Sequence, residues 1–265
     1  MFQWTGCVAN ALDYFEDQAK TLGDLDHHRR DINRARQLLQ DPNATADDLL
    51  DAANRVQKLL SARHDLYSGW LKHQFKSLYK YMDKPAILDS LKQLHQKGAM
   101  LMTTNYDDML EKHLDIPPID RSDPHALVSY QRGSLNAVFH PHGHWRNADG
   151  VVLSAEDYYG VKGHKDVQEV LKHVLATKTV LFVGCGGGLS DPNFGKLMEW
   201  IGEKHKTRGA THYLLLSKSQ DNPVTELALN HVQCESFDDI GRWLGDLLDI
   251  NERREGISKS LLYDS

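Results

Sequence analysis

This 265-residue sequence predicts an α/β fold: an open, mainly parallel sheet flanked by helices, with a layer of helices ahead of it. Two observations carry the prediction. Up to about residue 98, apolar residues recur at the three- and four-residue spacing of amphipathic helices; beyond it, short apolar runs alternate with helical stretches. A hydrophobic content of 40% over this length is enough to bury a full-sized core, as one large or two small domains.

Residues 1–98 form the helical part. Its segments "ANALDYFEDQAKTL", "RRDINRARQLLQ" and "ADDLLDAANRVQKLLSARHDLYSGWLKHQFKSLYKYM" all carry the helical period. "DPNAT" opens the third of them, with Thr45 as N-cap and Asp48 at N3 in an imperfect capping box. Residues 99–250 form the sheet domain, whose strands are "AMLMTT", "AVFH", "TVLFVG", "HYLLL" and "VQCES". Each except the second is followed by an amphipathic segment, the alternation expected of parallel strands joined by crossovers. Residues 251–265 are a C-terminal tail. No internal repeat, low-complexity tract or long Gly/Ser linker interrupts the chain, so the helical layer is expected to pack directly on the sheet.

Composition narrows the function classes. A net charge of −6 and a pI near 6.2 give no global attraction for nucleic acid or anionic lipid. The basic cluster "HHRRDINRAR" reads as a solvated helix face, with a partner surface as the other reading. No apolar run approaches the roughly 20 residues that span a bilayer, and the first residues lack the order of a secretion signal. A cytoplasmic protein without membrane contact is expected. Cys7, Cys185 and Cys234 are far apart and odd in number, which fits buried reduced thiols and excludes a four-cysteine zinc framework.

In open α/β sheets ligands bind beyond the carboxyl ends of the strands, and three of these ends are polar. After "AMLM" stand Thr103, Thr104, Asn105 and Asp107. After "AVF" comes "HPHGH", with His140, His142 and His144 at alternate positions that an extended segment points one way. After "TVLFV" comes Gly184, then Gly186, Gly187 and Gly188, and then Ser190, Asp191 and Asn193 at the start of a helix. Each has a purely structural alternative. Asn105 and Asp107 suit helix capping, the glycines a plain turn, and Ser190 or Asp191 an N-cap before Pro192. The H-x-H pair also fits a metal site, for which Asp107, Asp191 or His173 are loose candidates for a further ligand.

Taken together and in this order, "TTNYDDMLE", "HPHGHWRNADGVVLSAEDYYG" and "VLFVGCGGGLSDPNF" resemble the sirtuin-like NAD-hydrolase family, the effector domains of bacterial antiphage defence. The tail "THYLLLSKSQDNPVTELALNHVQCESFDDIGRWLGDL" resembles the family's last strands and helices, so the likeness covers roughly residues 85–250. It implies a Rossmann-like sheet and NAD as substrate. Asn105 would reach the nicotinamide ribose and position the attacking water, and His142 would be the base at the ribose hydroxyls. Thr103, Thr104, Asp107, Gly143, Gly184, Gly186, Ser190, Asp191 and Asn193 would border the dinucleotide.

The resemblance departs from the family at two places. The glycine-rich "GAGxS" loop that opens the family pattern is not matched, since neither Gly6 nor Gly23 follows a strand-like run and "FQWTGCVANALDYF" resembles what comes after that loop. "GCGGGLSD" is also richer in glycine than the family pattern. No zinc is expected, because the four-cysteine ribbon of deacylating sirtuins is lacking. By the same resemblance the expected activity is hydrolysis of NAD to nicotinamide and ADP-ribose by a regulated, oligomeric defence effector with a partner ATPase or sensor. The alternatives are a noncatalytic NAD or ADP-ribose binder or scaffold subunit, and a histidine-ligated metal hydrolase.

Overall fold

The computed structural model describes residues 4–83, 85–184, 212–218 and 229–249. Four helices form the N-terminal layer: α1 (Trp4–Leu22), α2 (Leu25–Gln40), α3 (Ala46–Ser61) and α4 (His64–Phe75). Their apolar stripes meet in one core that includes Val8, Leu12, Phe15, Val56, Leu60, Trp70 and Leu71. Ala11, Ala35 and Ala53 are fully buried there, small enough to let the helices approach closely. Trp70 donates its indole N–H to Asn10 at 3.0 Å, which satisfies the one polar atom that this large side chain buries. The capping box at α3 is complete: Thr45 accepts from the Asp48 amide, and Asp48 accepts from the Thr45 amide.

The basic cluster on α2 is a solvated face. Ile32, Ala35 and Leu38 point inward at three-residue spacing, while Arg29 pairs with Asp26 and Arg36 reaches Asp13 and Glu16 of α1. Cys7 and Cys234 are both buried, and burial pushes the Cys7 thiol up to about 12. No helix among the described residues is long and apolar enough to cross a membrane.

A short 3-10 turn (Leu78–Tyr81) leads to α5 (Ala86–Gln96) and then to the sheet region. The order is β1 (Leu101–Met102), α6 (Met109–Leu114), β2 (Pro118–Asp120), α7 (Pro124–Gln131), β3 (Val138–His140), α8 (Ala155–Gly163), α9 (Lys165–Thr177), β4 (Leu181–Val183), β5 (Tyr213–Ser217), β6 (Asn230–Cys234) and a last helix α10 (239–249). The strands form two three-stranded ladders, β1-β3-β2 and β4-β5-β6, and every pairing is parallel. The α/β class is thus as the sequence predicts. Strand β2 was not predicted, because Pro117 and Pro118 argue against a strand. It lies at the edge of its ladder, where a proline at the first position costs no pairing.

Both faces of the strands are covered, which is why "HYLLL" is a continuous apolar run. Leu214 and Leu216 pack with Phe139, Phe182 and the inner sides of α7 and α9; Leu215 points the other way, onto Ile240 and Leu244 of α10. Helix α5 lies across both ladders on that second face, since Leu91 touches the Leu215 cluster and also the Leu101–Val138 cluster. The core of the helical layer continues into the loops beyond β1 and β3, taking in Tyr106, Val151 and Leu153.

Candidate functional site

Parallel pairing with β3 in the centre brings three carboxyl ends together: Thr103 beyond β1, Asp120 at the end of β2 and His140 at the end of β3. The first loop leaves the ladder at Thr103, whose amide still bonds to Phe139 O at 3.0 Å. Its hydroxyl then accepts from the Asn105 amide at 3.1 Å, which turns the chain and leaves Thr104 and Asn105 exposed. Asp107 accepts from the Met109 amide at 3.0 Å, an Asx turn just ahead of α6, whose N-cap is Asp108. Burial, and to a lesser degree the nearby Glu111 charge, raise its carboxyl above the ordinary range.

The second loop does not continue as a strand. Pro141 follows His140, and the Gly143 amide returns to His140 O at 3.0 Å, closing a four-residue turn with proline at its second position. The three imidazoles therefore do not line one side of an extended segment. His140 and His144 come together instead, with ring centroids 4.9 Å apart at 77°, and both are buried, at 0% and 3% exposure. His144 is interior. Its pKa is pushed down to about 4 by burial first, then by His140 and Arg146. His142 is also buried, at 6%, and its carbonyl accepts from the Val152 amide at 2.9 Å.

Gly143 has φ +84°, and a Cβ placed there would lie 2.2 Å from Gly150 O. Only glycine fits this close passage of two backbones. Gly184 adopts φ +68° directly after β4. Gly186, Ser190, Asp191 and Asn193 lie outside the described residues.

Four contacts strap the two loops to one another. His140 Nδ1 bonds to Asn105 O at 2.9 Å, and the Trp145 amide donates to Tyr106 O at 2.9 Å. The Tyr106 hydroxyl donates to Val152 O at 2.5 Å, and Arg146 reaches buried Asp108 at 3.4 Å. The Tyr106 ring packs edge-on against Phe75 of α4, 5.6 Å away, which anchors the strap to the helical layer. The segment carrying Asn105 is thereby fixed beside the segment carrying His142.

Sequence reasoning missed two acidic residues. Glu111 is buried, and its Oε1 lies 2.5 Å from His140 Nε2; Glu111, His140 and His144 offer ligand atoms all within 4.8 Å of one another. Neither Asp107 nor His173 belongs to this group, and Asp191 is outside the described residues. Glu111 shares the inner face of α6 with Leu114, at i and i+3, and that spacing is the signal that could have revealed it. The second is Asp120, which accepts from the Ser122 amide, the Ser122 hydroxyl and the Asn147 side chain. Burial works to raise its pKa, but these bonds outweigh it and hold the carboxyl below the ordinary range.

The SIR2-like domain family matches residues 99–236, just over half of the chain and both of these loops. The chain belongs to the SIR2-like domain family. This SIR2-like domain is also similar to Defense-associated sirtuin 2 of Bacillus subtilis, with 25% identity over 195 residues. That similarity covers 70% of this chain and 18% of the relative, so the chain spans less than a fifth of the relative's length. Helices α1–α4 precede the part that matches the SIR2-like family.

Proposed function

We propose that this SIR2-like domain hydrolyses NAD to nicotinamide and ADP-ribose. In the reaction the bond between the nicotinamide nitrogen and the ribose C1′ breaks, and nicotinamide leaves as a neutral molecule with the bonding pair. A water oxygen bonds to C1′ and gives up one proton. Such a step needs an oriented sugar, a held water and a base, because the leaving group is already good. Asn105 orients the ribose and the water, and His142, the base beside the ribose hydroxyls, takes the proton that the water gives up. The observation that carries the reading is the strap between the two loops. It holds the Asn105 segment to the His142 segment at the carboxyl ends of parallel strands, where ligands of such sheets bind.

The family match over both loops supports the choice of NAD chemistry. The name of the Bacillus subtilis relative supports a role in defence. In the proposed role NAD loss is the damaging event, gated by self-assembly or by a partner ATPase or sensor. The test is chromatography of NAD incubated with the wild-type chain and with Asn105→Ala and His142→Ala. Nicotinamide and ADP-ribose in equal amounts, reduced at least about 100-fold in each variant, is the expected result. A folded wild type whose melting temperature rises with NAD, but which releases no nicotinamide, replaces the hydrolase by a binding module.

A further inference from the structure

We infer that Glu111, His140 and His144 bind one transition-metal dication, with zinc the ion whose ligand chemistry they suit best. The inference goes beyond the proposed hydrolysis and stands without it. Two imidazoles and a carboxylate are a set that zinc accepts, and they come from three places in the fold: α6, the end of β3 and the turn after it. All three side chains are more than nine-tenths buried.

Two of their polar atoms, Glu111 Oε2 and His144 Nε2, have no hydrogen-bond partner among the described residues. Leaving such atoms unpaired in the interior is costly, and a shared cation would satisfy both. His140 is already oriented as a ligand. Its Nδ1 faces the Asn105 carbonyl, which can only accept, so Nδ1 carries a hydrogen; Nε2 faces Glu111 Oε1 across a short hydrogen bond, and the proton shared there is the one a metal ion would displace. His144 needs Nδ1 protonated to ligate through Nε2, and the long 3.4 Å contact from the Arg146 amide is all that opposes this tautomer. Ligands about 2.0 Å from one tetrahedral zinc lie roughly 3.3 Å apart, so the His140–Glu111 contact opens by under about 1 Å on binding.

Charges of both signs surround the three side chains. Asp107 interacts electrostatically with Glu111 and His140, and His144 with Asp108 and Asp120 and, more strongly and in the opposite sense, with Arg146. Among these acids, Asp108 is matched by Lys112 at 2.8 Å and Arg146 at 3.4 Å. A metal here would act as a positioning element, since the imidazole that it holds is the one bonded to the Asn105 carbonyl.

The test uses the wild-type chain stripped with a chelator, freed of it, and titrated with Co²⁺ and then Zn²⁺. One equivalent of Co²⁺ per chain, with the ligand-field absorption of a four- or five-coordinate ion that Zn²⁺ displaces, is expected. Glu111→Gln and His144→Gln should each weaken binding at least about 10-fold, and His125→Gln, an exposed histidine, should leave it unchanged. A folded wild type that takes up no stoichiometric metal overturns the inference, as does equal affinity in the two ligand variants. Should the variants not fold, the wild-type stoichiometry and spectrum decide alone. Nicotinamide release by a wild type that binds no metal would remove the site and leave the hydrolase; one bound equivalent without turnover would do the reverse.

Discussion

At the scale of single residues, Pro141 decides which side chains meet beyond β3, because the chain turns there and the Gly143 amide returns to His140 O. That Asn105 and His142 stand just beyond strands was legible from the apolar runs before them. The partnership of His140, His144 and Glu111 was hidden by Pro141, which stops the strand and replaces alternation with a turn. Gly143 was read as a dinucleotide contact, and the backbone gives it a steric duty as well. Gly143→Ala should lower stability by about 3 kcal/mol or more, because a positive φ and a 2.2 Å approach to a main-chain oxygen cannot both be relieved by moving side chains. Urea unfolding checks this, and an unchanged midpoint refutes it. Asp120 makes a prediction about pH. Its folded pKa lies below the unfolded value near 3.9, so its contribution is present at neutral pH and disappears as pH falls through the folded value. Asp120→Asn should therefore cost roughly 1–2 kcal/mol at pH 7, with the gap to wild type closing in acid. A gap that stays constant down to low pH would show that the carboxylate charge is not what matters.

Elements were more legible than residues. The helices before residue 98 and all five of the predicted strands are present, because period 3.6 and buried apolar runs are local signals. What the period could not reveal is how the elements lie on one another. Helix α5 packs on α10 at Gly241, where an added Cβ would meet the Ala86 backbone at 2.9 Å and the Ile87 amide at 3.0 Å. Ser90, buried, donates to Gly241 O at 2.9 Å across the same contact. Gly241→Ala brings about 1 kcal/mol of helix propensity. Overpacking against backbone costs about 1–3 kcal/mol, and the strained Ser90 bond adds roughly 1 more, so a net loss is expected. Thermal melts of the variant decide it: a raised midpoint would mean that α5 slides freely over α10.

For the whole molecule, the change of period near residue 98 was legible, and the direct packing expected from the lack of a linker is present; which side chains carry it was not legible. Tyr106, Val151 and Leu153 lie in one apolar cluster with the residues of α1–α4, though they belong to the loops of the sheet region. A chain shortened to begin at residue 85 leaves these side chains uncovered. It should lose cooperative unfolding and bind a dye specific for exposed apolar surface; a sharp transition at the wild-type temperature would contradict this. The shared cluster also makes the two ends of the molecule answerable to each other. Where a molecule that grips α1–α4 shifts the Phe75–Tyr106 contact and so alters the affinity of one that rests on Asn105, the factor is returned in equal measure. Such a lever has no preferred end, since the ratio is the same in both directions.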